Sequence, residues 1–159
     1  MTMPRRRPLI MLALVALLMQ GVVPSSAVSR VSGPLLARVT AVVDGDTLAV
    51  RVTVWLDQEV TTRVRVDGID TPESRSACAE EKRMAQEARQ KLASLVATAT
   101  EGKGNGTIRL HDVEHDKFGG RVRARVTLAD GTDLAQAMIN AGHARPYQGG
   151  KRQPWCEGM

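Results

Sequence analysis

Leu48-Ala49-Val50-Arg51-Val52-Thr53-Val54-Trp55-Leu56 places an aliphatic residue at every second position, the period of a strand with one face against a core. Asp57-Gln58-Glu59 turns the chain, and Val60, Thr62, Val64 and Val66 resume the alternation against Thr61, Arg63 and Arg65. Upstream, Leu35 to Val43 is apolar and β-branched, and Asp44-Gly45 is a hairpin turn signal. Three consecutive strands are therefore expected. By the phase of the third, Arg65 points away from the Val64 and Val66 face, which fits either a solvated charge or a residue with work to do.

Beyond the strands, Arg65-Val66-Asp67-Gly68-Ile69-Asp70-Thr71-Pro72-Glu73 packs an arginine and several carboxylates into nine residues. From Ala77 the composition turns helical: Met84, Ala88, Leu92, Leu95 and Val96 fall on one stripe of an amphipathic helix running to about Thr100, a core-facing stripe. Gly102 to Gly106 reads as a flexible loop, and Asn105-Gly106-Thr107 matches a glycosylation acceptor pattern that is common by chance. Thr107 to His111 is a fourth strand. Val122, Ala124, Val126 and Leu128 alternate with Arg121, Arg123 and Arg125 in a fifth, so three arginines share one face that either tracks phosphates or is simply solvated. Thr132 or Asp133 caps a second helix from Leu134 to Ala141, and Gly142 stops it. The tail from Ala144 is basic, rich in Pro and Gly, and expected to be irregular. Five short strands with a helix after the third and another after the fifth predict an α+β, mainly β fold, a closed antiparallel barrel capped by two or three helices. An OB-type barrel fits that order, although periodicity alone leaves other α+β folds open.

The amino terminus has a different character. Arg5 to Arg7 precede a 15-residue apolar run from Leu9 to Val23 and then Pro24-Ser25-Ser26-Ala27, the order of a secretory signal. Spanning about 30 Å of hydrocarbon takes roughly 20 residues, so cleavage after Ala27 is expected, with an uncleaved anchor as the alternative; cleavage leaves a linker (28–34), a domain (35–147) and a tail (148–159), with no stable membrane association. The formal charge is +5, but three of the 22 basic residues are Arg5, Arg6 and Arg7, leaving 19 against 17 acidic, or +2. Capture of a polyanion then depends on local clusters of arginine rather than on the field of the whole protein. The two cysteines, Cys78 and Cys156, would meet an oxidising periplasmic or extracellular compartment, where an even count pairs. A Cys78–Cys156 disulfide is expected.

Asp46 and Asp70 each sit at a strand end and are each followed by threonine, so two loops could meet at one hard divalent cation bound through oxygen. Asp44-Gly45-Asp46-Thr47 lacks the later ligands of an EF-hand and, alone, is a hairpin turn. His111-Asp112-Val113-Glu114-His115-Asp116 lacks the spacing of a standard transition-metal site and reads as a polar loop.

Four ordered segments carry a resemblance: Val43-Asp44-Gly45-Asp46-Thr47; Arg65 with Gly68-Ile69-Asp70-Thr71-Pro72-Glu73; Asp116-Lys117-Phe118-Gly119-Gly120-Arg121; and Asp130-Gly131 with Gly142-His143-Ala144. Together they resemble the staphylococcal nuclease (thermonuclease) family over about Leu35 to Tyr147. The resemblance implies an OB-fold barrel and calcium-dependent hydrolysis of DNA and RNA; a monomer is expected. Asp46 and Asp70 match the calcium carboxylates, with Thr71 adding its backbone carbonyl. Glu73 matches the glutamate beside the attacking water, Arg65 and Arg121 match the phosphate-binding arginines, and Lys117 and Tyr147 match residues that flank a bound nucleotide. Two departures stand out. Gly119-Gly120 inserts one glycine before the second arginine, and Phe118 replaces a commoner tyrosine. A catalytically inactive OB-fold domain used as a nucleic-acid-binding or interaction module is the alternative.

Overall fold

A computed structural model describes residues 30–98 and 106–156. The leader, the loop from Gly102 to Asn105 and the last three residues lie outside the described residues. In chain order the elements are β1 (Leu35–Val42), β2 (Thr47–Trp55), β3 (Gln58–Val66), β4 (Ile69–Asp70), α1 (Ala79–Thr98), β5 (Thr107–His115), β6 (Arg121–Thr127), α2 (Leu134–Asn140) and β7 (Arg145–Pro146).

The alternating runs become the barrel they predict. β1, β2 and β3 pair antiparallel in sequence, β6 follows β3, β5 follows β6, and β5 closes back onto β1. Leu48, Val50, Val64, Val66, Ile108, Leu110 and Val126 point inward and are fully buried, while the alternate positions face out, as the two-residue period of a pleated strand demands. The α1 stripe closes the core, with Ala88, Leu92 and Val96 buried and Met84 and Leu95 half-buried. At α2, Asp133 rather than Thr132 is the cap, its carboxylate accepting from the Gln136 amide at 3.0 Å. The result is the five-stranded, helix-capped α+β barrel of an OB-fold.

Three local expectations change. The barrel is not wholly antiparallel, because β3 and β6 run parallel, Arg65 opposite Arg123; α1 and β5 intervene between them, so β6 returns in the direction of β3. The His111–His115 run is strand rather than loop: β5 continues through it over a register shift between His111 and Glu114. That shift lets an extra residue be accommodated, and Asp112 has a φ of 54° there. The carboxylates of this run are spent on arginines: Asp112 and Glu114 pair with Arg30, and Glu114 also with Arg123. Finally, the tail is ordered by the barrel. β7 pairs with β4, Asp70 opposite Arg145, and the Tyr147 amide donates to the Gly68 carbonyl at 2.9 Å. Among the described residues no helix is long and apolar enough to cross a membrane. Cys78 and Cys156 form the expected disulfide, joining the tail to the residue just before α1 across a sequence separation of 78.

Candidate active site

A cleft of about 580 Å³ opens where the β1–β2 turn, the β3–β4 loop and the β5–β6 loop meet the tail. Its floor is the Asp44–Thr47 turn. The Val43 and Asp44 amides both donate to the Thr47 carbonyl, and the Asp46 amide donates to Asp44 Oδ1 at 3.1 Å. Gly45 makes this turn possible by proximity: a Cβ there would lie 2.8 Å from Ala88 Cβ on α1 and 3.0 Å from Thr71 Oγ1. The turn carrying Asp46 thus rests on the loop that carries Asp70 and Thr71, and the absence of one side chain brings the two together.

Asp46 is only 4% exposed. The Thr47 hydroxyl donates to its Oδ1 at 2.8 Å, and Arg65 Nη1 donates to its Oδ2. Burial nevertheless dominates, pushing the Asp46 carboxyl up to about 6 against the pull of the Arg65 charge, with Asp44 adding to the rise. Removing a carboxylate from water penalises its ionised form, and one guanidinium does not fully offset that. Arg65 itself does leave the Val64 and Val66 face, as its phase predicts, but it is a half-buried wall of the cleft rather than a solvated charge. Its Nη2 donates to the Ile69 carbonyl at 3.0 Å, so one fork spans Asp46 and the start of β4.

Asp70 and Thr71 are equally buried, at 4% and 3% exposure. They are met from the other side by the tail. Arg152 donates through Nε to Asp70 Oδ1, through Nη1 to Glu73 Oε1, and through Nη2 to the Thr71 carbonyl at 2.7 Å. Trp155 Nε1 donates to the remaining Asp70 oxygen at 3.0 Å. Glu73 is exposed at the rim, and its amide is fixed by Glu81 Oε1 of the first turn of α1 at 3.0 Å.

The opposite wall carries the other arginines. Gly120 has a φ of 74°, in the left-handed region that suits glycine and strains a side chain, so the extra glycine makes the turn and Arg121 follows it as the first residue of β6. Arg121 Nε donates to Asp116 Oδ2, and its guanidinium stands 5.2 Å from the exposed Phe118 ring, whose centroid also lies 5.1 Å from Lys117 Nζ. Arg123 lies opposite Arg65 in the parallel ladder and is tied to Asp67 and Glu114; hydrogen bonding from Glu114, followed by the Asp67 charge, raises its pKa. Tyr147 lines the cleft from the tail, its hydroxyl donating to the Gly150 carbonyl at 2.7 Å.

Asp46, Arg65, Thr71, Glu73, Lys117, Arg121 and Tyr147 therefore border this one cleft, whereas Asp70 lies behind Arg152 and Trp155. Arg152, Trp155 and Glu81 are the residues that sequence reasoning passed over. The usable signal for the first was position: a basic residue four before a cysteine that pins the tail beside α1. As for a cation, no three His, Cys, Asp or Glu side chains converge into a ready cluster among the described residues. The donors present are two buried carboxylates, the Thr71 carbonyl and Glu73 at the rim, all hard oxygens that fit calcium with water completing the shell. Each already draws a guanidinium, so the pocket of oxygens demands positive charge.

A family model described as "Staphylococcal nuclease homologue" matches residues 63–155, more than half of the chain. The matched span starts inside β3 and ends one residue before Cys156, so it contains Arg65, Asp70, Glu73 and Arg121 as well as Arg152. A search of curated proteins finds no match.

Proposed function

We propose that this chain, which belongs to the family of staphylococcal nuclease homologues, is a calcium-dependent nuclease that hydrolyses phosphodiester bonds of DNA and RNA with little sequence preference. The observation that supports the reading most strongly is that one cleft gathers Asp46, Thr71 and Glu73 on one side with Arg65 and Arg121 on the others. Asp46, Asp70 and the Thr71 carbonyl would hold the calcium ion, which when bound supplies a fixed positive charge next to the scissile phosphate.

The rest of the chemistry belongs to the side chains. Hydrolysis builds negative charge on the non-bridging phosphate oxygens, and cations held in place before that charge develops favour the transition state over the bound substrate. Arg65, braced by Asp46 and the Ile69 carbonyl, is such a preorganised cation. Arg121, braced by Asp116, is the second. Glu73 has an exposed carboxylate, paired with Arg152, on a backbone fixed by Glu81, placed to orient the attacking water or accept its proton. Lys117 and Tyr147 flank the nucleotide. With aromatics at 3% of the chain and Phe118 the exposed ring at the rim, base stacking contributes little selectivity. The leader and the disulfide suit a periplasmic or secreted monomer, an address where calcium sites of about 0.1 to 1 mM affinity function.

The competing reading, an inactive barrel that binds nucleic acid, keeps the arginines but has no need of Glu73. Glu73→Gln separates the two: cleavage of single-stranded DNA should fall at least 100-fold while binding of the same strand, measured by fluorescence anisotropy, stays within a few-fold. Unchanged cleavage removes Glu73 from the reaction, and absence of cleavage by the unsubstituted protein favours the binding module.

A further inference from the structure

The tail up to Cys156 forms a strap with more anchors than an irregular segment needs. Tyr147 is hydrogen-bonded to Gly68, Arg145 Nη1 donates to the Pro154 carbonyl at 3.0 Å, and the Arg145 guanidinium lies 3.7 Å from the Trp155 ring. Trp155 donates to Asp70, and Cys156 is bonded to Cys78. Everything in this arrangement delivers one side chain, Arg152, to three oxygens: Asp70 Oδ1, Glu73 Oε1 and the Thr71 carbonyl. Two of these are the oxygens assigned above to calcium, and the third belongs to the residue that handles the water.

We propose that Arg152 is a positioning residue of the metal centre, a tethered guanidinium that competes with the divalent cation for Asp70, Thr71 and Glu73 and so sets its affinity. The inference rests on the calcium reading of the site. Its physical basis is charge: a guanidinium presents donors in a rigid fork matched to carboxylate and carbonyl acceptors, and it never loses its proton. It therefore neutralises the buried Asp70 carboxylate when no ion is bound, and an incoming cation must displace it. The tether keeps its local concentration high, because the disulfide closes the strap only four residues beyond Arg152. Arg65 occupies the corresponding place on Asp46, but its backbone is a barrel strand and it has a phosphate to meet. Arg152 has no such anchor in the sheet. Weakening the site in this way restricts turnover to compartments rich in calcium.

Calorimetric titration of calcium into the disulfide-bonded protein and into Arg152→Gln tests this without any assay of turnover. The expected result is an affinity about three- to tenfold tighter in the variant, the loss of one charge-assisted hydrogen-bond set discounted for its partial exposure. Arg152→Lys should fall between the two, since an ammonium cannot span three acceptors. Without calcium, Arg152→Gln should melt below the unsubstituted protein, yet gain more on adding the ion, a crossing that a merely structural arginine does not produce. Cys156→Ser, which frees the strap and keeps Arg152, should also tighten binding, and it supplies the answer if Arg152→Gln folds poorly. Equal or weaker calcium binding in both variants overturns the competition and leaves the calcium site standing. Absence of calcium binding in every protein overturns both.

Discussion

The two buried carboxylates of the cleft are each covered by an arginine, but the arginines come from different kinds of structure. Arg65 is delivered by β3, where its register against Thr47 is fixed by the barrel, and its guanidinium bridges Asp46 and the Ile69 carbonyl. Arg152 is delivered by a tail with no regular structure of its own at that point, held by a disulfide and a few side-chain contacts. One half of the site is set by sheet geometry and the other by a tether. The difference teaches that similar local chemistry, a guanidinium on an aspartate, can rest on strand register on one side and on a covalent tether on the other.

Breaking the tether should have the largest effect on stability. Replacing Cys78 and Cys156 with serine opens a loop of 78-residue separation and should cost about 4 kcal/mol in the chain-entropy picture, read as a lower denaturant midpoint with an otherwise intact barrel. Breaking the barrel half should have the largest effect on rate: Arg65→Ala should lower kcat/KM by roughly 100- to 1000-fold, about 3 to 4 kcal/mol, by analogy with the loss of one oxyanion-hole donor. A loss of less than tenfold would put Arg65 among ordinary surface charges.

The pH dependence of Asp46 sharpens the same contrast. Its folded carboxyl is raised from 3.8 to about 6, so the folded state binds the proton more tightly than the unfolded chain. Ionised Asp46 therefore costs stability above pH 6, about 3 kcal/mol at most, and that cost disappears as pH falls from 6 to 4. Without calcium, the stability of the natural protein relative to Asp46→Asn should rise over that interval. A difference that stays flat or falls would mean that Arg65 outweighs burial. The smallest expected effect lies at Glu81, which holds the Glu73 amide from α1: Glu81→Ala should cost about 1 to 2 kcal/mol of stability and slow cleavage only modestly.

The barrel half was legible because period-two alternation and turn chemistry are local signals. Val64 and Val66 say where Arg65 must point, and Gly45 marks the turn that Asp46 needs, although its contact with Ala88 and Thr71 is a tertiary fact no window of sequence contains. The place of Arg121 directly after the two glycines was legible, and the left-handed φ of Gly120 shows which of them makes the turn. The parallel pairing of β3 with β6 was hidden because alternation carries no direction. The tail half was nearly illegible: Arg152 sits among Gly, Lys, Gln and Pro, where composition says only loop, and its partners are about 80 residues away in sequence. The disulfide was the one long-range link that could be read from the chain, and it joins the segment that hides Asp70.

The most direct test of the whole account is cleavage itself. Purified, disulfide-bonded protein incubated with single-stranded DNA and with RNA should degrade both in millimolar calcium, stop when the ion is chelated, and resume when calcium is restored. Cleavage that continues in excess chelator would contradict the role assigned to Asp46 and Asp70, and intact nucleic acid under every condition would contradict the nuclease.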